Sequence, residues 1–273
     1  MRITGNTILI TGGGSGIGLA LGEEFSRLGN KVIVAARSAR KLEAAARKGL
    51  QQLPVNMSAR ESIESLARTV VTRFPALNVV IHNAGIMKNE NLRAASTADI
   101  ALETIATNLT GPVLLTSALL PHLLKQPQAT IMTVSSGLAF VPLAMTPTYS
   151  ATKAAIHSYT QSLRYQLRET RIGVIELVPP YVQTELMGSR GASDPAAMPL
   201  RQFTTEVMEI LDRQPDVAEI LVQRVHPLRF AAAAGEEKYQ VAFREMNERV
   251  FAARASEFTG GPPAMSAPAH APR

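Results

Sequence analysis

The sequence predicts one α/β domain, a doubly wound parallel sheet with helices on both faces. Three observations carry this. Short β-branched and apolar runs alternate with stretches of helical periodicity. A glycine cluster, Gly12 to Gly18, lies where the first run passes into the first helical stretch. The 273 residues, 46% of them hydrophobic, suffice for one large domain with a substantial core. No linker composition interrupts residues 1–258, and the Gly-, Pro-, Ala- and Ser-rich residues 259–273 are expected to be a disordered tail.

Taken in order, Thr7 to Thr11 is a buried strand ending in glycines, and residues 16–29 form a helix closed by Gly29. Lys31 to Ala36 is the second strand, and Ser38 caps the helix after it. Leu53-Pro54-Val55 is a weaker third strand; Ser58 with Glu61 reads as a capping box opening the next helix. Val79 to Ile81 is the fourth strand, followed by a long helical stretch from 98 to 125. Thr130 to Val134, a helix from Tyr149 to Thr170, and Gly173 to Val178 complete six alternating units. Such alternation demands parallel strands with right-handed crossovers. Beyond residue 184 the helical stretches are 200–213 and 236–256, while Glu219 to Val222 fits a last strand or part of a helix.

Composition excludes several chemistries. There is no cysteine, hence no disulfide, thiolate metal site or cysteine nucleophile. The N-terminus carries no signal-peptide pattern and no apolar stretch is long enough to cross a bilayer, so a cytoplasmic protein without membrane partners is expected. A net charge of +6 raises the question of nucleic acid, but the basic residues are scattered among acids and not interleaved with aromatics, so no nucleic-acid partner is expected. His122, His157, His226 and His270 show no metal-ligand spacing, no metal is expected, and no nucleophile elbow occurs.

Glycines at the end of the first strand permit a tight turn and close approach of a ligand, and the helix N-terminus behind them favours an anion. A tight turn without a ligand is the alternative. The spacing Gly12-x-x-x-Gly16-x-Gly18 differs from the usual dinucleotide fingerprint and lacks the lysine of a P-loop. About 20 residues on, where an acid would bind the ribose of NAD, the second strand ends Ala36-Arg37-Ser38. Arg37 suits a 2′-phosphate, so NADP(H) is expected over NAD(H); the alternative is a solvated surface arginine.

Tyr149 and Lys153 stand at i and i+4, on one face of a helix. A nearby ammonium would lower the phenol pKa from about 10 toward the range useful for acid–base chemistry. By itself this is equally an ordinary surface pair. Ser135 and Ser136 end the fifth strand, where a hydroxyl can hold a substrate oxygen or merely cap the strand. The Asn108 carbonyl would accept from residue 112, but Pro112 has no N–H. That carbonyl is left for water, a relay element near a lysine or simply a packing kink.

These residues in this order resemble the short-chain dehydrogenase/reductases, over residues 5–187, and within them the single-domain, DltE-type branch. The resemblance rests on Thr11-Gly12-x-x-x-Gly16-x-Gly18, Asn83-Ala84-Gly85, Asn108, Ser136, Tyr149-x-x-x-Lys153 and Pro179 to Thr184. It implies a Rossmann-type three-layer sandwich of about seven strands, in the order 3-2-1-4-5-6-7. It selects Ser136, 13 residues before Tyr149, over Ser135. By resemblance Tyr149 is the general acid/base, Ser136 orients the substrate oxygen, Lys153 binds the nicotinamide ribose, and Asn108 holds a water. Gly12, Ser15, Gly16, Ile17, Gly18 and Ser38 would bind the cofactor, Arg37 its 2′-phosphate, and Asn56 its adenine. Asn83, Ala84 and Gly85 would line the adenosine side, and Pro179, Val182 and Thr184 the nicotinamide. Leu138, Phe140, Tyr181 and Met187 would form an apolar substrate pocket for a carbonyl or alcohol. Asn56 in place of aspartate, His82 in place of asparagine and Pro180 in place of glycine are departures; His82 reads as a packed strand-end residue. A homodimer or homotetramer is implied, although the family's common C-terminal Asp-Gly-Gly is absent. A non-catalytic NADP(H)-binding sensor or scaffold is the alternative function.

Overall fold

A computed structural model describes residues 1–93 and 97–254; the expected tail lies outside them. The strands are β1 (Thr7–Thr11), β2 (Lys31–Ala36), β3 (Gln51–Pro54), β4 (Val79–His82), β5 (Ala129–Val134), β6 (Ile172–Leu177) and β7 (Glu219–Ile220). They form one parallel sheet in the order β3-β2-β1-β4-β5-β6-β7, as the sequence predicts. The ambiguous segment after residue 218 is therefore a short strand, paired through Glu176↔Glu219 and Leu177↔Ile220.

Alternate strand residues feed two cores, because successive side chains leave a strand on opposite faces. Ile8, Ile10, Val32 and Val34 pack under α1 (Gly16–Arg27), α2 (Ala39–Ala46) and α8 (Leu200–Arg213), through Leu21, Phe25, Leu42, Phe203 and Val207. Leu9, Ile33, Val80 and Ile131 pack under α3 (Arg60–Arg73), α5 (Gly111–Leu123) and α6 (Pro147–Leu167), through Ile63, Leu66, Leu115 and Leu163. Each fully buried leucine or isoleucine stabilises the fold by about 1.5–3 kcal/mol. The rest comprises α4 (Ala98–Ile105), α7 (Ser189–Ser193), α9 (His226–Arg229) and α10 (Glu236–Ala253).

Two local expectations are corrected. α3 begins at Arg60 without a side-chain cap, because Ser58 is committed elsewhere. Both its backbone N–H and its hydroxyl bond the Asn56 side-chain carbonyl, at 3.2 and 2.9 Å, in a local turn that competes with capping. β3 also lies two residues earlier than expected at its start, with Val55 outside the ladder.

The long helix predicted from 98 to 125 is interrupted. Ala106–Thr110 widens into a π-turn, with the Gly111 N–H reaching back to the Ala106 carbonyl. Pro112 then opens α5 at a position where its missing N–H is harmless. This places Asn108, only 2% exposed, in the middle of the widened turn.

Candidate active site

Strand ends, the π-turn and the start of α6 converge at the carboxyl edge of the sheet, where β1 lies between β2 and β4. At β1, Gly12 adopts φ +67°, and a Cβ there would lie 2.7 Å from the Ala84 Cα. Gly18 has no room either: a Cβ would collide with the Asn83 amide nitrogen and sit 2.7 Å from the Gly12 carbonyl oxygen. The Asn83 amide donates to the carbonyls of Thr11 and Gly12, at 3.1 and 3.2 Å. Its polar end thus braces the turn from beneath. The Thr11 hydroxyl accepts the Asn83 and Ala84 N–H groups at 3.2 Å each, locking β1 to the β4 loop.

Ser15 precedes α1 without capping it; its hydroxyl instead accepts from Lys41 Nζ at 3.1 Å. The first turn of α1 therefore keeps backbone N–H groups for an anion, with an ammonium alongside. Ile17 packs on the core, and Thr184 stands across from Gly16, where a Cβ would lie 3.3 Å from the threonine methyl. Ser38 caps α2 as predicted, accepting the Lys41 N–H at 3.3 Å. Arg37, exposed at the end of β2, pairs with Glu103 at 3.4 Å, and Glu103 also holds Lys88 at 2.6 Å. Those two cations keep the Glu103 carboxyl below its usual range.

Ser136 follows β5 and accepts the Leu138 N–H at 3.1 Å, which fixes its hydroxyl at the strand end. It also lies near enough to the Tyr149 phenol to pull that group's pKa down. Ser135 is buried with its hydroxyl unpartnered among the described residues. Lys153 Nζ donates to the Val134 carbonyl at 2.7 Å and lies 5.5 Å from the Tyr149 ring centroid. Asn108 bonds the backbone of Ile86 in both directions at 2.9 Å and donates to the Thr152 hydroxyl at 3.3 Å. A Cβ on Gly85 would lie 3.4 Å from Asn108 Oδ1 and 3.8 Å from Lys153 Nζ, so Gly85 abuts the lysine. Asn108, Ser136, Tyr149 and Lys153 thus come together.

The electrostatics differ from expectation. Burial pushes the Tyr149 phenol up to about 12, against a smaller downward pull from Ser136. Burial also pushes the Lys153 ammonium down to about 8, opposed by the charge of Glu176. Both groups lose the water that favours their charged forms, and at 5.5 Å the ammonium does not overcome the burial of the phenol.

Among the residues expected to form an apolar pocket, Tyr181, Met187 and Phe140 have polar or charged partners. The Tyr181 phenol donates to Asp194 and accepts from Arg254, each at 2.9 Å. The Met187 sulfur accepts from Arg254 at 3.4 Å. Phe140 lies edge-on to His157 at 4.7 Å and beneath the Arg229 guanidinium at 4.6 Å. Leu138 is half-buried beside Ser136. The Pro179 carbonyl accepts the Gly137 N–H at 2.9 Å, and Val182 bridges Met198.

A family model for the short chain dehydrogenases matches residues 6–195. The chain belongs to the short-chain dehydrogenase family. It is 40% identical over 258 residues to the uncharacterized oxidoreductase DltE of Bacillus subtilis, covering 90% of this chain and 98% of that one. A dehydrogenase/reductase SDR family protein 7-like of Drosophila melanogaster is 30% identical over 195 residues, 68% of this chain and 60% of that one. Among solved structures, a short chain dehydrogenase from Burkholderia cenocepacia in complex with NADP superposes with a TM-score of 0.73 at 22% identity, over 90% of this chain and 99% of that one. The 3-ketoacyl-(acyl-carrier-protein) reductase from Brucella melitensis, complexed with NADH, gives 0.72 at 22%, over 82% and 100%.

For a short-chain dehydrogenase, several site residues escape sequence reasoning. Glu90, 2% exposed, accepts the Thr148 N–H at 3.0 Å and its hydroxyl at 2.6 Å, capping the start of the helix that carries Tyr149. No local signal marks it, since 58 residues separate the partners. Lys41 reaches the glycine turn from α2, and its spacing of three from Ser38 was the available hint. Asn247 of α10 accepts the Ala144 N–H at 2.6 Å and donates to the Pro142 carbonyl at 3.1 Å, tying the C-terminal helix to the loop before Tyr149. His82 is the packed residue expected, buried with Nε2 2.9 Å from the Thr116 hydroxyl. No helix among the described residues is long and apolar enough to cross a membrane.

Proposed function

We propose that the chain is an NADP(H)-dependent oxidoreductase that moves hydride between the nicotinamide and a carbonyl or secondary-alcohol carbon, with Tyr149 as general acid/base. The observation that carries this is the buried Tyr149 phenol with the Lys153 ammonium 5.5 Å from its ring centroid and the Ser136 hydroxyl acting on it. The bound cofactor supplies or takes the hydride. Ser136 holds the substrate oxygen, and in the reducing direction Tyr149 delivers its proton to that oxygen. A phenol pushed up to about 12 is held in its acid form, which suits proton donation. Asn108 keeps the β4 loop against Lys153, and its backbone carbonyl, lacking the N–H of residue 112, is the place for a relay water.

The uncapped first turn of α1, with Ser15, Lys41 and Thr184 around it, fits a pyrophosphate. The relatives' complexes contain NADP in one case and NADH in the other. The preference for NADP(H) therefore rests on Arg37 and on the lack of an acid at the end of β2. Glu103 shares Arg37 through an exposed pair worth at most about 1 kcal/mol, which a phosphate dianion would displace. Asn56, whose side chain turns to Ser58, and Asn83 remain on the adenine side of this reading.

Tyr149→Phe is expected to abolish turnover on a carbonyl panel while NADPH still quenches or shifts its fluorescence on binding. Wild-type turnover in that variant would refute the mechanism. Arg37→Ala is expected to weaken NADPH by roughly tenfold, about 1.4 kcal/mol, and NADH far less. Equal loss for both cofactors would remove the phosphate assignment.

A further inference from the structure

One row of the sheet is polar across four strands. His82, Thr133, Glu176 and Glu219 are register partners on β4, β5, β6 and β7, on the face covered by α5 and α6. The pairing continues from the first three into the helices above: His82 to Thr116, Thr133 to Thr160 and Glu176 to His157. Of these groups Glu176 is the least expected. Its side chain is fully buried, Oε2 meets His157 Nδ1 at 2.8 Å, and Oε1 has no partner among the described residues. Leaving a buried carboxylate oxygen without a donor is costly unless a nearby positive charge offsets it.

Among the described residues, Arg229, Arg164 and Lys153 come from helices near that carboxylate. Arg229 of α9 gives both of its hydrogen bonds to Glu219, at 2.8 and 3.0 Å, and its field reaches Glu176. Arg164 of α6 spends its donors on the Val174 and Ala218 carbonyls. Lys153 stands one helical turn before His157 on α6, and its Nζ donates to the Val134 carbonyl on β5, one residue beyond Thr133, the register partner of Glu176. His157 itself is set by Gln161, whose amide nitrogen lies 3.1 Å from Nε2. With that amide donating to Nε2, Nδ1 carries the proton toward Glu176. The His157, Glu176 and Glu219 ligand atoms lie within 4.8 Å of one another, but Arg229 already occupies both Glu219 oxygens, so the cluster carries its own cation.

We propose that Glu176 and His157 form a positioning pair for Lys153: Glu176 is the counter-charge that keeps Lys153 an ammonium in a dry site, and His157, oriented by Gln161, holds that carboxylate in place. Lys153 in turn carries the charge that favours proton release from Tyr149. The inference deepens the acid–base reading above and rests on it for its catalytic meaning. Burial alone drives Lys153 toward its neutral form, and Glu176 works against this. Without Glu176, more of the lysine is neutral at mildly alkaline pH.

The test is the titration of Lys153, read from its ε-13C resonance in lysine-labelled protein and assigned with Lys153→Met. No substrate or cofactor is needed, so the result stands even if Tyr149→Phe were to retain turnover and the functional reading failed. Glu176→Gln is expected to lower the midpoint by about one pH unit or more, and Glu176→Asp to hold it within about half a unit of the wild type. The alkaline limb of carbonyl reduction is expected to move down by the same amount in Glu176→Gln. A folded Glu176→Gln with an unmoved Lys153 midpoint overturns the proposal. If Glu176→Gln does not fold, the carboxyl 13C resonance of Glu176 in the wild-type chain decides. An ionised carboxylate at neutral pH supports the pair, and a protonated one overturns it.

Discussion

His82 makes the pH dependence of stability predictable. Its imidazole is buried in β4, bonded at Nε2 to Thr116 and without a partner at Nδ1 among the described residues. Burial pushes its pKa down to about 4 from 6.5. The folded chain therefore refuses a proton that the unfolded chain accepts. The associated stability is present in full above pH 6.5 and is lost as pH falls toward 4, because in that window the unfolded state binds more protons. A shift of this size corresponds to roughly 3 kcal/mol, at a limiting slope of about 1.4 kcal/mol per pH unit. His82→Asn places a non-titrating amide at the site. Urea unfolding of both proteins across this range gives the difference curve, in which the carboxylates common to both cancel. The curve is expected to be flat above pH 6.5 and to fall below it in favour of the variant. Parallel pH dependences for the two proteins would refute the reasoning, since they would mean that His82 takes its proton as readily folded as unfolded.

Two further predictions concern the site. Gly18→Ala forces a methyl against the Asn83 amide and the Gly12 carbonyl, so it should cost about 1–3 kcal/mol in thermal unfolding and weaken NADPH at least about tenfold in fluorescence titration; unchanged stability and affinity together would sink the packing argument. Glu90→Ala removes both bonds to Thr148 and should cost about 2–3 kcal/mol, with Glu90→Gln costing less. Its kcat should fall while NADPH affinity stays near the wild type, and an unaltered kcat would show that the start of α6 needs no help in holding Tyr149.

Features whose cause lies within a turn or two of chain were legible. The strand runs, the Ser38 cap and the Tyr149–Lys153 spacing depend on periodicity and hydrogen bonds between near neighbours. The Ser58 cap failed for an equally local reason, the competing Asn56 side chain. The Pro112 anomaly marked an irregularity correctly but did not reveal its form, a π-turn that turns the Asn108 amide onto Ile86.

The sequence by itself determined the strand–helix alternation, the strand order through its likeness to a family, and the four residues that meet at the strand ends. The tertiary structure alone decided their electrostatic state. Tyr149 and Lys153 are spaced to help one another, yet burial by elements from across the chain moves both pKa values the opposite way. Register alone stacks Glu176 beside Glu219, and Glu90 finds Thr148 only after the sheet has closed. Periodicity is carried by neighbours along the chain, whereas desolvation and field are sums over everything that packs around a group, and those sums exist only once the layers are assembled.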